Sequence, residues 1–243
     1  MPQESQIEPI QINENDILPN WEWDRVIPAP GPMAIDFEER VDFRRLHRYR
    51  LGRTQKALAE SDLGAILCFD NNNIRYITSC VIGEWARDKI CRYTLLTRSS
   101  NPYLWDFGSA AAHHRLHAPW LENDHCLAGM LGLRGSVNAD AGLFKRAAQE
   151  IVELLRKEGV AEMPLGVDIV EPPMLFALQE EGLDVRDVQQ VMLNARQIKS
   201  MDEIVLLNMS ASIVDGVYQV IAENLKPGMR ENQLVAMANK FLY

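Results

Sequence analysis

An amphipathic segment near the end of the chain places the strongest constraint on the fold. Ser200 is followed three residues later by Glu203, the spacing of a capping box in which each side chain accepts from the other's backbone N–H. Lys226-Pro227-Gly228 ends the segment, because proline and glycine interrupt helices. Between these signals, apolar residues recur at steps of three and four, at Ile204, Leu207, Ala211, Val214, Tyr218, Ile221 and Leu225. The pattern predicts one helix with a single apolar stripe, which we call the predicted stripe.

A second helical pattern follows Pro227-Gly228-Met229. Its apolar side is formed by Leu234, Met237, Ala238 and Phe241. The pattern reaches Tyr243 without a glycine, proline or polar cap that would close it. Two helices with apolar faces need a further layer to bury them. We therefore expect this chain to be the N-terminal portion of a longer protein.

Most of the preceding chain predicts a single α/β domain. Short apolar or alternating segments predict strands at residues 63–69, 90–96, 102–107, 165–168 and 185–193. Helical patterns fall at residues 36–60, 138–158 and 172–182, and Asp36 with Glu39 forms a possible cap for the first of them. Alternation of the two patterns predicts one α/β domain over residues 36–193. Residues 194–243 then form a separate helical region.

The first 35 residues predict an extended arm. They contain several prolines and no sustained periodicity. Trp21 and Trp23 are unusual for disordered sequence, so we expect the arm to pack on a surface of the same chain or of a second subunit.

Composition excludes several classes of protein. The chain is 47% hydrophobic and carries a net charge of −9, which argues against nucleic acid or an anionic membrane as a partner. An arginine-rich run at residues 40–56 predicts a solvated helix face, or a face against an acidic neighbour. We find no uninterrupted apolar span of membrane length and no signal peptide, and expect a cytoplasmic protein. Four scattered cysteines predict reduced, buried thiols.

Two motifs invite a binding interpretation that the sequence does not favour. In His-His-x-x-His, His113 and His117 would share one helix face, but a structural zinc site needs a fourth ligand that is not found nearby. Surface or buried structural histidines are the preferred interpretation. The glycines of residues 129–135 lack the Lys-Ser/Thr pair of a phosphate loop. We predict no metal ligand in this chain.

Motifs around the two C-terminal helices resemble a known family. Arg196-x-Ile198-Lys199-Ser200-x-x-Glu203-Ile204 and Pro227-Gly228-Met229-x-Glu231-x-x-Leu234 are similar to the start of the catalytic domain in the pita-bread metalloenzymes. That family includes creatinase, prolidase, aminopeptidase P and dimethylsulfoniopropionate-lyase-like members. The resemblance implies a creatinase-type N-terminal domain, a mixed sheet flanked by helices, followed by the first two helices of an incomplete catalytic domain. Arg230 departs from the family, which tends to place a hydroxyl residue there.

A second segment resembles the substrate-gating region of the creatinase-type N-terminal domain. Asn73-Ile74-Arg75-Tyr76 precedes Gly83-Glu84-Trp85-Ala86-Arg87-Asp88, and Trp85 and Arg87 match the aromatic and basic positions that reach across the dimer. A guanidinium can hold a carboxylate with two hydrogen bonds, and an indole can stack on a methylated cation. The alternative is that Trp85 is a core residue and Arg87 pairs with Glu84 or Asp88.

The family's chemistry implies a two-metal site of divalent ions held by two Asp, one His and two Glu in the later part of the catalytic domain. No counterpart of that set is expected here, and we do not assign Asp202, Glu203 or Asp215 as ligands. The chain alone is expected to be inactive, with no catalytic residue of its own.

Two hypotheses follow. In the first, the chain is the front portion of a homodimeric hydrolase of Xaa-Pro peptides or amidine-like compounds, or of a lyase of a small methylated zwitterion. In the second, it is a non-catalytic dimerisation or regulatory module.

Overall fold

The computed structural model describes residues 11–12, 41–80, 91–130 and 138–242. The chain divides into two compact units, one containing Met1–Ile12 and His47–Ile198 and the other containing Asn13–Leu46 and Lys199–Tyr243. The predicted cap at Asp36 and Glu39 and almost all of the predicted arm lie outside the described residues.

The larger unit is built on a six-stranded sheet with the order β4-β3-β2-β1-β5-β6. The pairings β1–β2 and β2–β3 are antiparallel and the other three are parallel. The strands are β1 (Ala65–Cys68), β2 (Tyr93–Thr97), β3 (Tyr103–Asp106), β4 (Cys126–Ala128), β5 (Leu165–Val167) and β6 (Val185–Asp187). Because β2 alone runs against the others, its first residue and the last residues of the other five strands share one edge.

Helices cover both faces of this sheet. They are α1 (Phe43–Ala59), α2 (Asn71–Thr78), α3 (Gly108–His117), α4 (Leu143–Lys157), α5 (Pro172–Glu180) and α6 (Gln189–Arg196). Ala65 and Leu67 of β1 point into a core with α4 and α5, whereas Ile66 and Cys68 point into a core with α1, α2 and α6. The mixed sheet flanked by helices is therefore confirmed.

Two local features differ from what the sequence pattern favours. The run Asp70-Asn71-Asn72-Asn73, whose composition is typical of a turn, is the start of α2, because the Asp70 side chain accepts from the N–H groups of Asn72 and Asn73 as an N-cap. The strand predicted over 185–193 stops at Asp187, and α6 begins at Gln189. Val188 and Met192 are spaced four apart and both are buried, a helical period that the sequence interpretation overlooked.

The arginine-rich run of α1 contacts protein, mostly through backbone carbonyls. In the larger unit, Arg53 donates to the carbonyls of Ala195 and Asn194, and Arg50 lies over the ring of Tyr76. In the smaller unit, both carboxylate oxygens of Asp202 accept hydrogen bonds from the Arg45 guanidinium. The predicted contact with an acidic neighbour thus holds at Arg45.

The smaller unit contains the two predicted C-terminal helices, α7 (Met201–Asn224) and α8 (Glu231–Leu242). The capping box of Ser200 and Glu203 is present and starts α7 as predicted. The predicted stripe is not the buried face, since Val205, Met209 and Val217 are buried instead. Four stripe residues are exposed: Leu207, Val214, Tyr218 and Leu225. The periodicity identified the helix but not which of its two apolar sides is buried.

Helices α7 and α8 pack against each other through a small residue. A Cβ atom built on Gly216 would lie 2.8 Å from the Phe241 ring, so the ring occupies the space that a side chain would need. Leu234, Met237, Ala238 and Phe241 are all partly buried, as predicted.

Helix α7 is also the one helix in the described ranges that is long and apolar enough to cross a membrane by composition. Polar residues such as Asn208 and Ser212 divide its sequence, so it contains no uninterrupted apolar run of membrane length. A single helix of this kind is weak evidence for a membrane span, since core helices have the same composition.

Candidate functional site

The sheet edge shared by the end of β1 and the start of β2 collects most of the buried charge in the larger unit. We call it the polar edge, defined by Arg92, Asp106 and His114 on one side and by Asp168 and Asn73 on the other. Arg92 precedes β2, Asp106 ends β3 and Asp168 follows β5. The topology brings these residues to one edge from distant parts of the sequence.

Asp106 is the centre of a buried ionic cluster. Its Oδ2 atom accepts from Arg92 Nε at 2.7 Å and lies 2.6 Å from Arg92 Nη2. His114 Nε2 lies 2.9 Å from the same oxygen, and Oδ1 accepts from the N–H of Phe107. The three charged or ionisable side chains are no more than 7% exposed. Such a carboxylate is stabilised only when its partners stay in place.

The partners determine the charge state of Asp106. Burial alone would raise the pKa of this carboxyl, but the hydrogen bonds from His114 and Arg92 and the charge of Arg92 outweigh burial and lower its pKa. Asp106 is therefore an anion that links β3 to Arg92 and α3.

The His-His-x-x-His motif divides into two parts. His114 turns inward to Asp106, whereas the rings of His113 and His117 lie together with their centroids 4.4 Å apart. The predicted common face of His113 and His117 is thus present on α3. His114 is a buried structural histidine, in line with the preferred interpretation, and no signal in the motif identified Asp106 as its partner.

Asp168 forms the second half of the polar edge and uses neutral donors. Its Oδ1 atom accepts from the N–H of Phe69 at 2.8 Å, and its Oδ2 atom accepts from the N–H of Asp70 at 3.1 Å. Asn73 Nδ2 donates to Oδ2 at 2.9 Å. The carboxylate therefore joins the end of β5 to the end of β1 and to α2.

The Asn-x-x-Tyr motif has a structural role in these contacts. Asn73 Oδ1 accepts from Arg196 Nη1 at 2.9 Å, while the Tyr76 hydroxyl donates to the carbonyl of Ala195 at 3.0 Å. Spaced three residues apart on α2, the two side chains bind the end of α6. The sequence interpretation identified this motif only through the family resemblance and did not foresee Asp168.

The predicted substrate-binding residues Trp85 and Arg87 lie outside the described residues. The positions on either side along the chain are described, since α2 ends at Thr78 and Arg92 belongs to the Asp106 cluster. All four cysteines are buried and free. Burial raises the pKa of the Cys80 thiol to about 12, so this thiol is inert at neutral pH.

The residues that we declined to assign as metal ligands are already engaged in other contacts. Asp202 accepts two hydrogen bonds from Arg45, at 2.8 and 2.7 Å, and Glu203 completes the capping box. The five-ligand family set is not found in the described ranges. The one group there that brings three potential ligands together is Glu122, Asp124 and His125.

No protein-family model matches the chain. Two curated relatives do, both named dimethylsulfoniopropionate lyase DddP. The protein from Roseovarius nubinhibens is 26% identical over 189 residues, which cover 73% of this chain and 41% of that protein. The protein from Roseobacter denitrificans is 30% identical over 184 residues, which cover 72% of this chain and 40% of that protein. The chain thus spans about two fifths of the length of these relatives.

Solved structures show the same fold at low sequence identity. An Xaa-Pro dipeptidase from Bacillus anthracis superposes with a TM-score of 0.57 and 16% identity over 79% of this chain and 48% of that one. A prolidase from Pyrococcus furiosus superposes with a TM-score of 0.54 and 15% identity. The match covers 79% of this chain and 52% of the prolidase chain.

Proposed function

Since the resemblance to the pita-bread metalloenzyme family is confirmed by sequence and by fold, we propose that this chain is the N-terminal portion of a metal-dependent lyase of that family. The observation that supports the lyase class is the pair of sequence matches to dimethylsulfoniopropionate lyases over more than 70% of this chain. The substrate we propose is a small zwitterion with a carboxylate at one end and a methylated cation at the other.

The roles of Trp85 and Arg87 follow from the chemistry of such a substrate. A guanidinium suits the carboxylate, and an indole face suits a methylated sulfonium or ammonium group. We propose that both residues act across a homodimer, at the neighbouring subunit's active site. Divalent metal ions would activate the substrate there when bound, and their ligands would come from outside the described residues.

The polar edge supports this proposal because it holds the described residues on either side of Trp85 and Arg87 in place. Arg92 lies five residues after Arg87 and is held by a buried carboxylate, while Thr78 ends a helix anchored through Asn73 and Tyr76. The chain on either side of the proposed substrate-binding pair is thus attached to the sheet. Pre-positioned contacts of this kind reduce the ordering that a substrate must induce.

The exposed part of the predicted stripe supports the view that this chain functions within a larger assembly. Four apolar side chains on one side of α7 are between 46% and 68% exposed. A continuous exposed apolar surface on a helix usually marks an interface. We propose that the remaining catalytic domain covers it, and that this chain alone is inactive.

The test uses the complete reading frame that contains this chain, purified with divalent metal. One sample is incubated with dimethylsulfoniopropionate, and the release of dimethyl sulfide is measured. A parallel sample is incubated with an Xaa-Pro dipeptide, and the release of proline is measured. We expect sulfide release only. Proline release without sulfide would replace the lyase by a peptidase, the class that the fold neighbours' names suggest.

Variants separate binding roles from structural ones. Arg87→Met and Trp85→Ala should each raise KM for the zwitterion at least tenfold, with the folded dimer retained. Arg75→Met is the matched control for Arg87→Met because Arg75 is exposed on α2, and Phe176→Ala, which removes an exposed ring from α5, is the control for Trp85→Ala. Equal effects in controls and test variants would contradict the roles of Trp85 and Arg87.

If the complete frame has neither activity, the second hypothesis applies. A non-catalytic module should still dimerise, so light scattering after size-exclusion chromatography would then give a dimer without turnover. A catalytically active monomer would contradict both the module hypothesis and action across a dimer.

A further inference from the structure

A turn between α3 and β4 brings three ligand-type side chains together outside the polar edge. Glu122, Asp124 and His125 offer one ligand atom each, and these atoms all lie within 4.8 Å of one another. The 3-10 turn Asn123–His125 creates the group, because the His125 N–H donates to the Glu122 carbonyl and brings both residues to the same side. We propose that these three residues bind a divalent first-row cation, with zinc as the ion that fits best.

The first argument is the state of the His125 ring. The residue is 5% exposed, and its Nδ1 atom is buried without a hydrogen-bond partner among the described residues. Its Nε2 atom faces Glu122 Oε2 at 3.6 Å, which is longer than a hydrogen bond. The ring therefore makes no hydrogen bond among the described residues, and a cation bound at Nε2 would give its site-facing nitrogen a partner.

The second argument is geometry. Ligand atoms at tetrahedral angles around zinc, with bonds of about 2.1 Å, lie roughly 3.4 Å apart. The distance from His125 Nε2 to Glu122 Oε2 is already close to that value. The carboxylate of Asp124 is exposed and can rotate inward, whereas the buried imidazole cannot move far.

Two neighbours hold the ligands in place. His125 stacks on the Tyr103 ring with the centroids 3.8 Å apart, which fixes the plane of the imidazole. Asn101 Nδ2 donates to Glu122 Oε1 at 2.6 Å and leaves Oε2 directed toward the ring. Contacts that orient a ligand in this way typically raise metal affinity.

The donor set selects the class of ion. One imidazole and two carboxylates suit zinc and its first-row neighbours, whereas magnesium and calcium prefer oxygen ligands alone. Three protein ligands leave the fourth position of a tetrahedron to water. This site is separate from the catalytic metals of the proposed function, and it departs from our expectation that the chain binds no metal.

The test is a calorimetric titration of the chelator-treated whole chain with zinc chloride, in buffer that contains millimolar magnesium. We expect one zinc ion per chain. Asp124→Asn should weaken binding at least tenfold without a change in fold, because Asp124 is exposed. Asn101→Ala should weaken it by roughly tenfold through loss of the orienting hydrogen bond.

The competing site is the exposed pair of His113 and His117, whose ring centroids are 4.4 Å apart. His117→Gln is therefore the matched control for His125→Gln, and circular dichroism confirms that both variants fold. Zinc binding that survives His117→Gln and is lost in both Asp124→Asn and His125→Gln supports the site. Unchanged binding in Asp124→Asn, loss in His117→Gln, or no binding by the wild-type chain overturns it.

Discussion

Asp106 and Asp168 end neighbouring parts of the same sheet edge, yet they are stabilised in different ways. Asp106 is 1% exposed and receives a guanidinium and an imidazole on a single oxygen. Asp168 accepts from backbone N–H groups of Phe69, Asp70 and Ile169 and from the Asn73 amide. One carboxylate depends on side chains from other elements, whereas the other depends mainly on the backbone.

The difference shows which contacts depend on single residues. Backbone donors at Asp168 are present whatever the side chains of the donor residues are. The cluster at Asp106 needs both Arg92 and His114, because a buried charge without its partner is strongly destabilising. The polar edge therefore combines one carboxylate that is robust to mutation of its partners with one that is sensitive to it.

The largest effect that tests this comparison is expected at Arg92. Arg92→Met removes the guanidinium and leaves a buried carboxylate with one side-chain partner, which should lower the free energy of unfolding by about 3–5 kcal/mol. Urea unfolding followed by circular dichroism measures the change. Arg186→Met is the matched control, since Arg186 pairs with Asp62 and Asp184 on the surface, and its effect on the free energy of unfolding should be far smaller. Equal losses in both variants would contradict the distinction between buried and exposed pairs.

A smaller loss is expected at Asp168. Asp168→Asn replaces one acceptor oxygen by an amide N–H₂ group that faces backbone donors, so we expect a loss of about 2–3 kcal/mol in the same unfolding experiment. Asp70→Asn is the control, because asparagine caps a helix about as well as aspartate. If Asp168→Asn is as stable as the wild type, the backbone donors do not need the carboxylate.

Acid sensitivity separates Asp106 from a third group. The lowered pKa of Asp106 stabilises the fold above the carboxyl's ordinary pKa, and this contribution is lost as pH falls through the folded value. The third group is His47, which titrates at higher pH than Asp106. Burial and the charge of Arg50 lower the pKa of its imidazole from 6.5 to about 4. The folded state favours its neutral form, so its contribution is complete above about pH 6.5 and declines toward pH 4.

His47→Gln should therefore flatten the dependence of stability on pH between about 6.5 and 4. The expected change is about 1–2 kcal/mol after allowance for the partial exposure of the ring. Urea midpoints measured across that range provide the readout, and His117→Gln serves as the exposed-histidine control. An unchanged slope in His47→Gln would assign the acid sensitivity to other groups.

The smallest effect is expected at the neutral contacts beside Asp168. Tyr76→Phe removes one buried hydrogen bond, from the hydroxyl to the carbonyl of Ala195, and should cost about 1 kcal/mol. Tyr218→Phe is the control because that side chain is 68% exposed, and its stability should be unchanged. A loss above that at Arg92 would reverse the ranking of ionic and neutral contacts at this edge.

The elements that the sequence predicted correctly are those specified by local signals. The capping box at Ser200, the strand at 63–69 and the strand at 102–107 each depend on residues that are close in sequence. Strand β4 was missed because three residues are too short to show alternation. The start of α2 was missed because aspartate and asparagine favour turns and N-caps alike.

The candidate site was less predictable because its contacts are distant in sequence. Arg92 and Asp106 are separated by two strands of a hairpin, and Asp168 reaches Asn73 across 95 residues. Neither spacing forms a motif. The same limit explains the error on α7, whose apolar residues surround the helix so that only tertiary contacts decide which side is buried.

Gly216 lies where helices α7 and α8 approach each other closely, beside the Phe241 ring. The Phe241 ring occupies the space that a side chain at position 216 would need. Sliding one helix past the other by a turn, about 5.4 Å, would bring that ring against residues with side chains. The single hydrogen atom of Gly216 thus leaves room for the Phe241 ring at this alignment, and Gly216→Ala would force that ring to shift.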